Sequence, residues 1–361
     1  MKKRSNLFDY LQWRGDLSLK AVPFCEVDAL ILSMLAYLHL DKVSEGRITS
    51  FSAAMKKYRD LPEEARYLGA LIPEPTTPLA YAVAESGRFS ESSFSDFSDH
   101  LDEKRQMQFA AVTFHLPDDS LYISFRGTDD TIVGWKEDLN LSFSAPVPSQ
   151  LEAAGYLNRI GKKFPNRPIR LGGHSKGGNL AHFAAIFCNA EIQERILSAY
   201  SNDGPGFESS LLAKKEYQRI EGRLHTFVPQ SSLVGMLLTH DEGYQVIHST
   251  ETGFLQHDAF SWEIQQGHFV YLDQRSAFGE KTADAVRGWI ASLSHEERRH
   301  ISETIFQAAM DTNTKTLTQL NASRLEAAKR ILTILGKCDK PTKKMLWDLL
   351  RRMISPTKSK K

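Results

Sequence analysis

The sequence is poor in cysteine. Its 361 residues hold three, Cys25, Cys188 and Cys338, odd in number and far apart. That spacing excludes a disulfide framework and a metal site built on paired cysteines, and it makes a reducing, cytoplasmic compartment the expected home. An excess of one charge is missing too: 45 Lys and Arg stand against 44 Asp and Glu, a net +1. Such a balance gives no reason to expect nucleic acid as a partner of the whole chain. Long apolar runs are also absent. The longest, around residues 29–40, is broken by Ser33 and His39 and is too short to span a bilayer. The first ten residues are basic at Lys2, Lys3 and Arg4 with no apolar stretch behind them, so they do not read as a signal peptide. No repeat, cofactor motif or metal motif stands out. What remains is a globular composition, 41% hydrophobic and 25% charged, in a chain long enough for one large domain and an appendage.

The pattern along the chain alternates strands with helices. Leu30, Ile31, Met34, Leu35 and Leu38 recur at the spacing of an amphipathic helix within residues 26–42. Residues 86–103, rich in Ser, Phe and Asp, read as an exposed connection or short helices. Strands are expected over 109–116 and 121–125, with Pro117-Asp118-Asp119-Ser120 as a hairpin turn between them. A helix follows over 148–164, and further strands over 169–172, 196–201 and 224–228. This order predicts an α/β fold, a mostly parallel sheet flanked by helices. From about Ser294 the sequence turns charged and helical, which suggests a domain over 1–290 and a helical extension over 291–361. The last 22 residues carry eight Lys and Arg against Asp348, with Met345, Leu346, Leu349, Leu350 and Met353 as an apolar face. A helix of that kind docks on its own domain or makes a weak contact with an anionic membrane surface.

Gly173-His174-Ser175-Lys176-Gly177 spells G-x-S-x-G, the sequence form of a turn that lifts a nucleophilic serine between a strand and a helix. Its flanks agree: Ile169 and Leu171 alternate before it, and Leu180, Phe183, Ala184 and Phe187 follow at helical spacing. A serine hydroxyl needs a histidine base, an acid to orient that base, and donors for the oxyanion. For the acid, Asp203 follows the next expected strand within Asn202-Asp203-Gly204-Pro205-Gly206; Asp241 and Asp258 are weaker candidates, and Asp203 could simply cap its own turn. For the base, His257 comes late, on a loop beside aromatic residues, with His248 and His268 as neighbours that keep the assignment open. His174 reads as structural. The oxyanion donors would be the backbone N–H of Lys176 and a second from the turn Arg126-Gly127-Thr128, where Thr128 adds a hydroxyl. The segment behind it, with Ile132, Val133 and Trp135, reads as a lid or an ordinary packed helix.

These residues together resemble a known family. Tyr122-Ile123-Ser124-Phe125-Arg126-Gly127-Thr128, with Trp135 and Asp138, is similar to the oxyanion strand of class 3 lipases. Gly173-His174-Ser175 is similar to their elbow, and Gly253-Phe254-Leu255 with His257 and Trp262 to the stretch carrying their histidine. A closer resemblance is to a bacterial Mbeg-like α/β-hydrolase family. It rests on Phe8-Asp9-Tyr10-Leu11, Trp13-Arg14-Gly15-Asp16, His174 to Asn179, Asn202 to Phe207, and Gln256-His257-Asp258. The resemblance spans residues 5–290 and implies an α/β-hydrolase-like fold and a serine hydrolase of the esterase or lipase kind. Its substrate would be a small-molecule or lipid acyl ester, cleaved without cofactor or metal. Two departures stand out. Where those lipases carry their acid, this chain reads Pro229-Gln230-Ser231-Ser232-Leu233-Val234, so either Asp203 supplies the acid or the triad is incomplete. An incomplete triad would leave a hydrolase fold that binds a ligand or partner without turnover. Lys176 stands in place of a leucine and puts a cation beside an oxyanion donor.

Overall fold

Among the described residues nine strands form one mixed sheet in the computed structural model, in the order in which they occur in the chain. They are β1 (Thr49–Ser50), β2 (Ser93–Asp102), β3 (Met107–His115), β4 (Leu121–Phe125), β5 (Ile169–His174), β6 (Ile196–Asn202), β7 (Leu224–Pro229), β8 (Gln245–Ile247) and β9 (Tyr271–Leu272). Strands β4 to β8 run parallel, and antiparallel strands extend the sheet at both edges. The structure describes residues 4–69, 71–129, 131–141, 146–207, 211, 213–238, 240, 243–310, 336 and 338–354.

Alternation along the strands separates two cores. Leu121, Ile123 and Phe125 of β4 face one, and Tyr122 faces the other. A sheet whose parallel strands advance steadily in one direction places its right-handed crossovers on a single face. Accordingly α6 (Pro148–Lys163) and α7 (Lys176–Phe187) pack into the same core, and the opposite face needs another cover. The N-terminal helices supply it: α1 (Leu7–Arg14), α2 (Glu26–Leu35), α3 (Phe51–Arg59) and α4 (Thr76–Glu85). Helix α2 lies directly on the sheet, where Tyr122 and Ser124 donate hydrogen bonds to its Ala29 and Leu32 carbonyls.

Two expectations need correction. Nine of the ten residues of α2, from Val27 to Leu35, are buried, so the helix is enclosed rather than amphipathic. Residues 93–102 are not an exposed connection but β2, paired antiparallel with β3. A register shift between Ser95 and Ser98, with Asp96 at a φ of 53°, interrupts the two-residue period that would have marked the strand. The hairpin at Pro117–Ser120 forms as expected, and the Ser120 N–H donates to the Asp118 carboxylate.

Past the last strand come α8 (Ala277–Ser292), α9 (His295–Met310) and α10 (Lys340–Ile354). Helix α10 packs on α8, where the Trp289 indole donates to the Met345 carbonyl at 2.9 Å. The basic tail at 355–361 is outside the described residues. Among the described residues no helix is long and apolar enough to cross a membrane.

Candidate active site

Ser175 sits between β5 and α7 at φ 58° and ψ −135°, a conformation sparsely populated outside glycine. The turn stays this tight because its flanking glycines touch backbone. A Cβ on Gly173 would overlap Gly177, and one on Gly177 would overlap the Phe125 carbonyl. The turn is pinned by the Ser175 N–H donating to the Asn202 carbonyl at 2.9 Å. Helix α7 starts at the very next residue, so its positive N-terminal end lies at the serine.

Asp203 follows β6, fully buried and also at a positive φ of 54°. Its Oδ2 lies 2.6 Å from His257 Nδ1. Its Oδ1 accepts the Ser232 hydroxyl at 2.5 Å, and Ser232 Oγ in turn accepts the Gly235 N–H at 3.1 Å. The carboxylate is thus held on two sides. Ser232, from the loop after β7, thus supports the carboxylate carried by the preceding strand.

His257 ends a 3-10 turn, Gly253–His257. The loop is tied down by Gln256, whose Oε1 accepts the Ser231 N–H at 2.7 Å and whose Nε2 donates to the Glu251 carbonyl. Below it the buried Trp262 indole donates to the Gln256 carbonyl. His174 Nε2–H donates to the His257 carbonyl at 2.8 Å, and the two rings lie 4.5 Å apart. Burial, and next the neighbouring His257, push the pKa of His174 down to about 3, so it is neutral and acts as a brace. The other candidates are occupied elsewhere. His248 lies against Glu263, His268 against Glu26, and the Asp258 carboxylate accepts the Phe260 N–H. Asp241 is outside the described residues.

On the oxyanion side, Gly127 approaches so closely that a Cβ there would lie 3.1 Å from Ser175 Cβ. The turn is rigid: Arg126 makes a two-pronged pair with Asp99 at 2.8 and 2.9 Å and reaches Asp129 at 3.1 Å. Thr128 Oγ1 donates to Asp138 Oδ2 at 2.6 Å, from α5 (Ile132–Asn140), so the hydroxyl is directed to that carboxylate. Burial above all raises the pKa of Asp138 to about 6, and its Oδ1 has no hydrogen-bond partner among the described residues.

The Lys176 side chain does not put a cation beside the oxyanion donors. It is buried and turned toward β3 and α5, where Nζ donates to Gln108 Oε1 (2.7 Å), the Gln108 carbonyl (2.9 Å) and Glu137 Oε2 (3.1 Å). Glu137, equally buried, also accepts the N–H groups of Gln108 and Ser149. One ion pair therefore joins β3, α5, α6 and the start of α7. Sequence reading missed this pair, as it missed Ser232, Gln256 and Asn179, whose amide donates to the Pro205 and Gly206 carbonyls behind Asp203. The partners Glu137, Pro205, Ser231 and Asp203 lie 25 or more residues away along the chain, so local spacing does not pair them.

Ser175, His257, Thr128 and Lys176 border one cavity of about 440 Å³ with mostly apolar walls. Trp135 and Leu139 of α5 line it, so the segment after Thr128 is a packed helix forming part of the wall.

A family profile described as Mbeg1-like matches residues 83–307. Among curated proteins none matches the sequence. Solved structures with a similar fold include the Lip2 lipase of Yarrowia lipolytica, at 11% identity and a TM-score of 0.32, covering 46% of this chain and 69% of that one. The lipase of Rhizomucor miehei, as its propeptide complex, gives 18% and 0.32, over 45% of this chain and 58% of that one. A fungal lipase gives 14% and 0.38, over 69% and 85%.

Proposed function

This chain belongs to the Mbeg1-like family, and from the geometry of its site we propose that it is a serine hydrolase cleaving an acyl ester. The observation that carries the reading is the Asp203–His257 pair, 2.6 Å apart, bordering the same cavity as a serine held at positive φ. In this scheme His257 Nδ1–H stays on the Asp203 carboxylate, which fixes the tautomer and leaves Nε2 to exchange the proton. Ser175 Oγ attacks the ester carbonyl as His257 takes its proton. The alkoxide leaves with that proton, and water attacks the acyl-serine by the same route. The negative oxygen formed at each stage is met by the N–H groups of Lys176, at the start of α7, and of Thr128, in the turn after β4, each worth about 3 kcal/mol in comparable sites. The ion pair of Lys176 with Glu137 keeps the first donor in place without adding a free charge.

The alcohol and acyl parts are small-molecule or lipid groups, given the apolar walls. The three cysteines are free thiols, which fits a cytoplasmic home. Wild-type protein is expected to hydrolyse short nitrophenyl esters and to be labelled by a fluorophosphonate at Ser175. Ser175→Ala should fold and lose both, with turnover down at least about a thousandfold. Unchanged turnover in that variant ends the reading. A folded wild type that takes no label would instead fit a hydrolase fold that binds without turnover.

A further inference from the structure

Helix α8 carries Thr282, Val286 and Trp289 at helical spacing, with Ile290 beside them and Leu293 just past its end. The first part of this stripe packs conventionally. Thr282 and Ala283 are buried, and Gly279 abuts the Gln230–Ser231 backbone of the loop after β7. The second part does not. Val286, Trp289, Ile290 and Leu293 are half-buried and belong to neither large core, yet all four line the cavity that holds Ser175 and His257. Ile301 of α9 joins them. Four large apolar side chains that skip the cores and meet the nucleophile's cavity mark a surface shaped for an apolar group.

The two helices are fixed at both ends. Arg275 donates to the Ser232 and Gly279 carbonyls, which anchors α8 on the loop supporting Asp203. Arg298 of α9 donates to the Ile290 carbonyl, Ser302 donates to Asn140 of α5, and the Lys136 ammonium lies 4.1 Å over the Phe306 ring. The wall is therefore held between the loop that bonds Asp203 and helix α5, and its position relative to Ser175 is set.

We propose that the α8–α9 pair forms the alkyl-chain wall of the active site and sets the length of chain the ester can carry. An ester whose carbonyl is at Ser175 lays its aliphatic chain against Val286, Trp289, Ile290 and Leu293. Each methylene covered there contributes about fourfold in kcat/KM, the equivalent of ~0.8 kcal/mol, until the cavity is full. Beyond that length, added carbon clashes with packed side chains. The catalytic readout of this proposal rests on the hydrolase reading above, but the binding surface does not.

The experiment uses the full chain and a nitrophenyl ester series from acetyl to dodecanoyl. Ile290→Trp, which fills the cavity, is expected to move the optimum to shorter chains, with roughly tenfold greater loss on the longest esters than on the acetyl ester. Leu293→Ala, which enlarges it, is expected to move the optimum to longer chains. Calorimetric titration of n-alkanols of increasing length into Ser175→Ala, with and without each wall change, reads the surface without catalysis. A length preference that moves in opposite directions in the two variants, in either assay, supports the proposal. If no ester is turned over while alkanol binding moves as stated, the hydrolase reading fails and the wall stands. Length preferences left in place by both substitutions in folded protein overturn it, as does a protein that neither turns over an ester nor binds an alkanol.

Discussion

Asp203 spends both carboxylate oxygens inside the site, one on His257 and one on the Ser232 hydroxyl. Losing a buried donor to a charged acceptor costs about 1–3 kcal/mol. Ser232→Ala is therefore expected to lower kcat on a nitrophenyl ester by about ten- to hundredfold with KM little changed. Asp203→Asn, which disturbs the tautomer of His257, should cost about ten-thousandfold. Steady-state kinetics on both variants checks the order. Equal losses, or none at Ser232, would make that serine a bystander. Part of this chemistry is legible from residues alone. A tight turn at the serine is implied by the glycines two positions to either side, whereas the donor to Asp203 lies 29 positions away and leaves no trace in the motif.

Helix α5 brings three kinds of side chain to the site: Asp138 to Thr128, Glu137 to Lys176, and Trp135 to the cavity wall. Both charges of the Glu137–Lys176 pair are out of water, so removing one leaves the other buried and unpaired. Lys176→Met is expected to destabilise the fold by about 3–5 kcal/mol, and adding Glu137→Gln should recover part of that loss. Urea unfolding of the single and double variants measures the coupling. Additive losses would mean the pair does not join the elements it touches. The existence of α5 follows from its sequence, but its three partners follow from where β3, β4 and α7 bring their ends together.

Across the molecule, buried titratable groups predict how stability changes with acid. Burial first, and nearby charge second, holds His174 near pKa 3 and His115 near 4, and burial lowers His225 as well. Between pH 6.5 and about 4 the unfolded chain takes protons on His174 and His115 ahead of the folded chain, so folding loses free energy as pH falls. Asp138 works the other way. Its carboxyl, raised to about 6, binds its proton earlier in the folded state, and its contribution is present at low pH and lost as pH rises through 6. The lowered His174 and His115 outweigh the raised carboxyl of Asp138, and unfolding free energy should drop by about 2–4 kcal/mol from pH 7.5 to 4.5. Urea titrations at the two pH values test this, and a flat or rising profile refutes it. By itself the sequence determined what short-range physics can express: the order of strands and helices, the glycine-flanked serine, and the alternation that divides the two cores. The tertiary structure alone decided which histidine meets Asp203, that Lys176 turns its charge away from the oxyanion side, and that α8 and α9 wall the cavity. Those choices depend on burial and on charge pairing between residues far apart in the chain, and such energies exist only once the chain has brought them together.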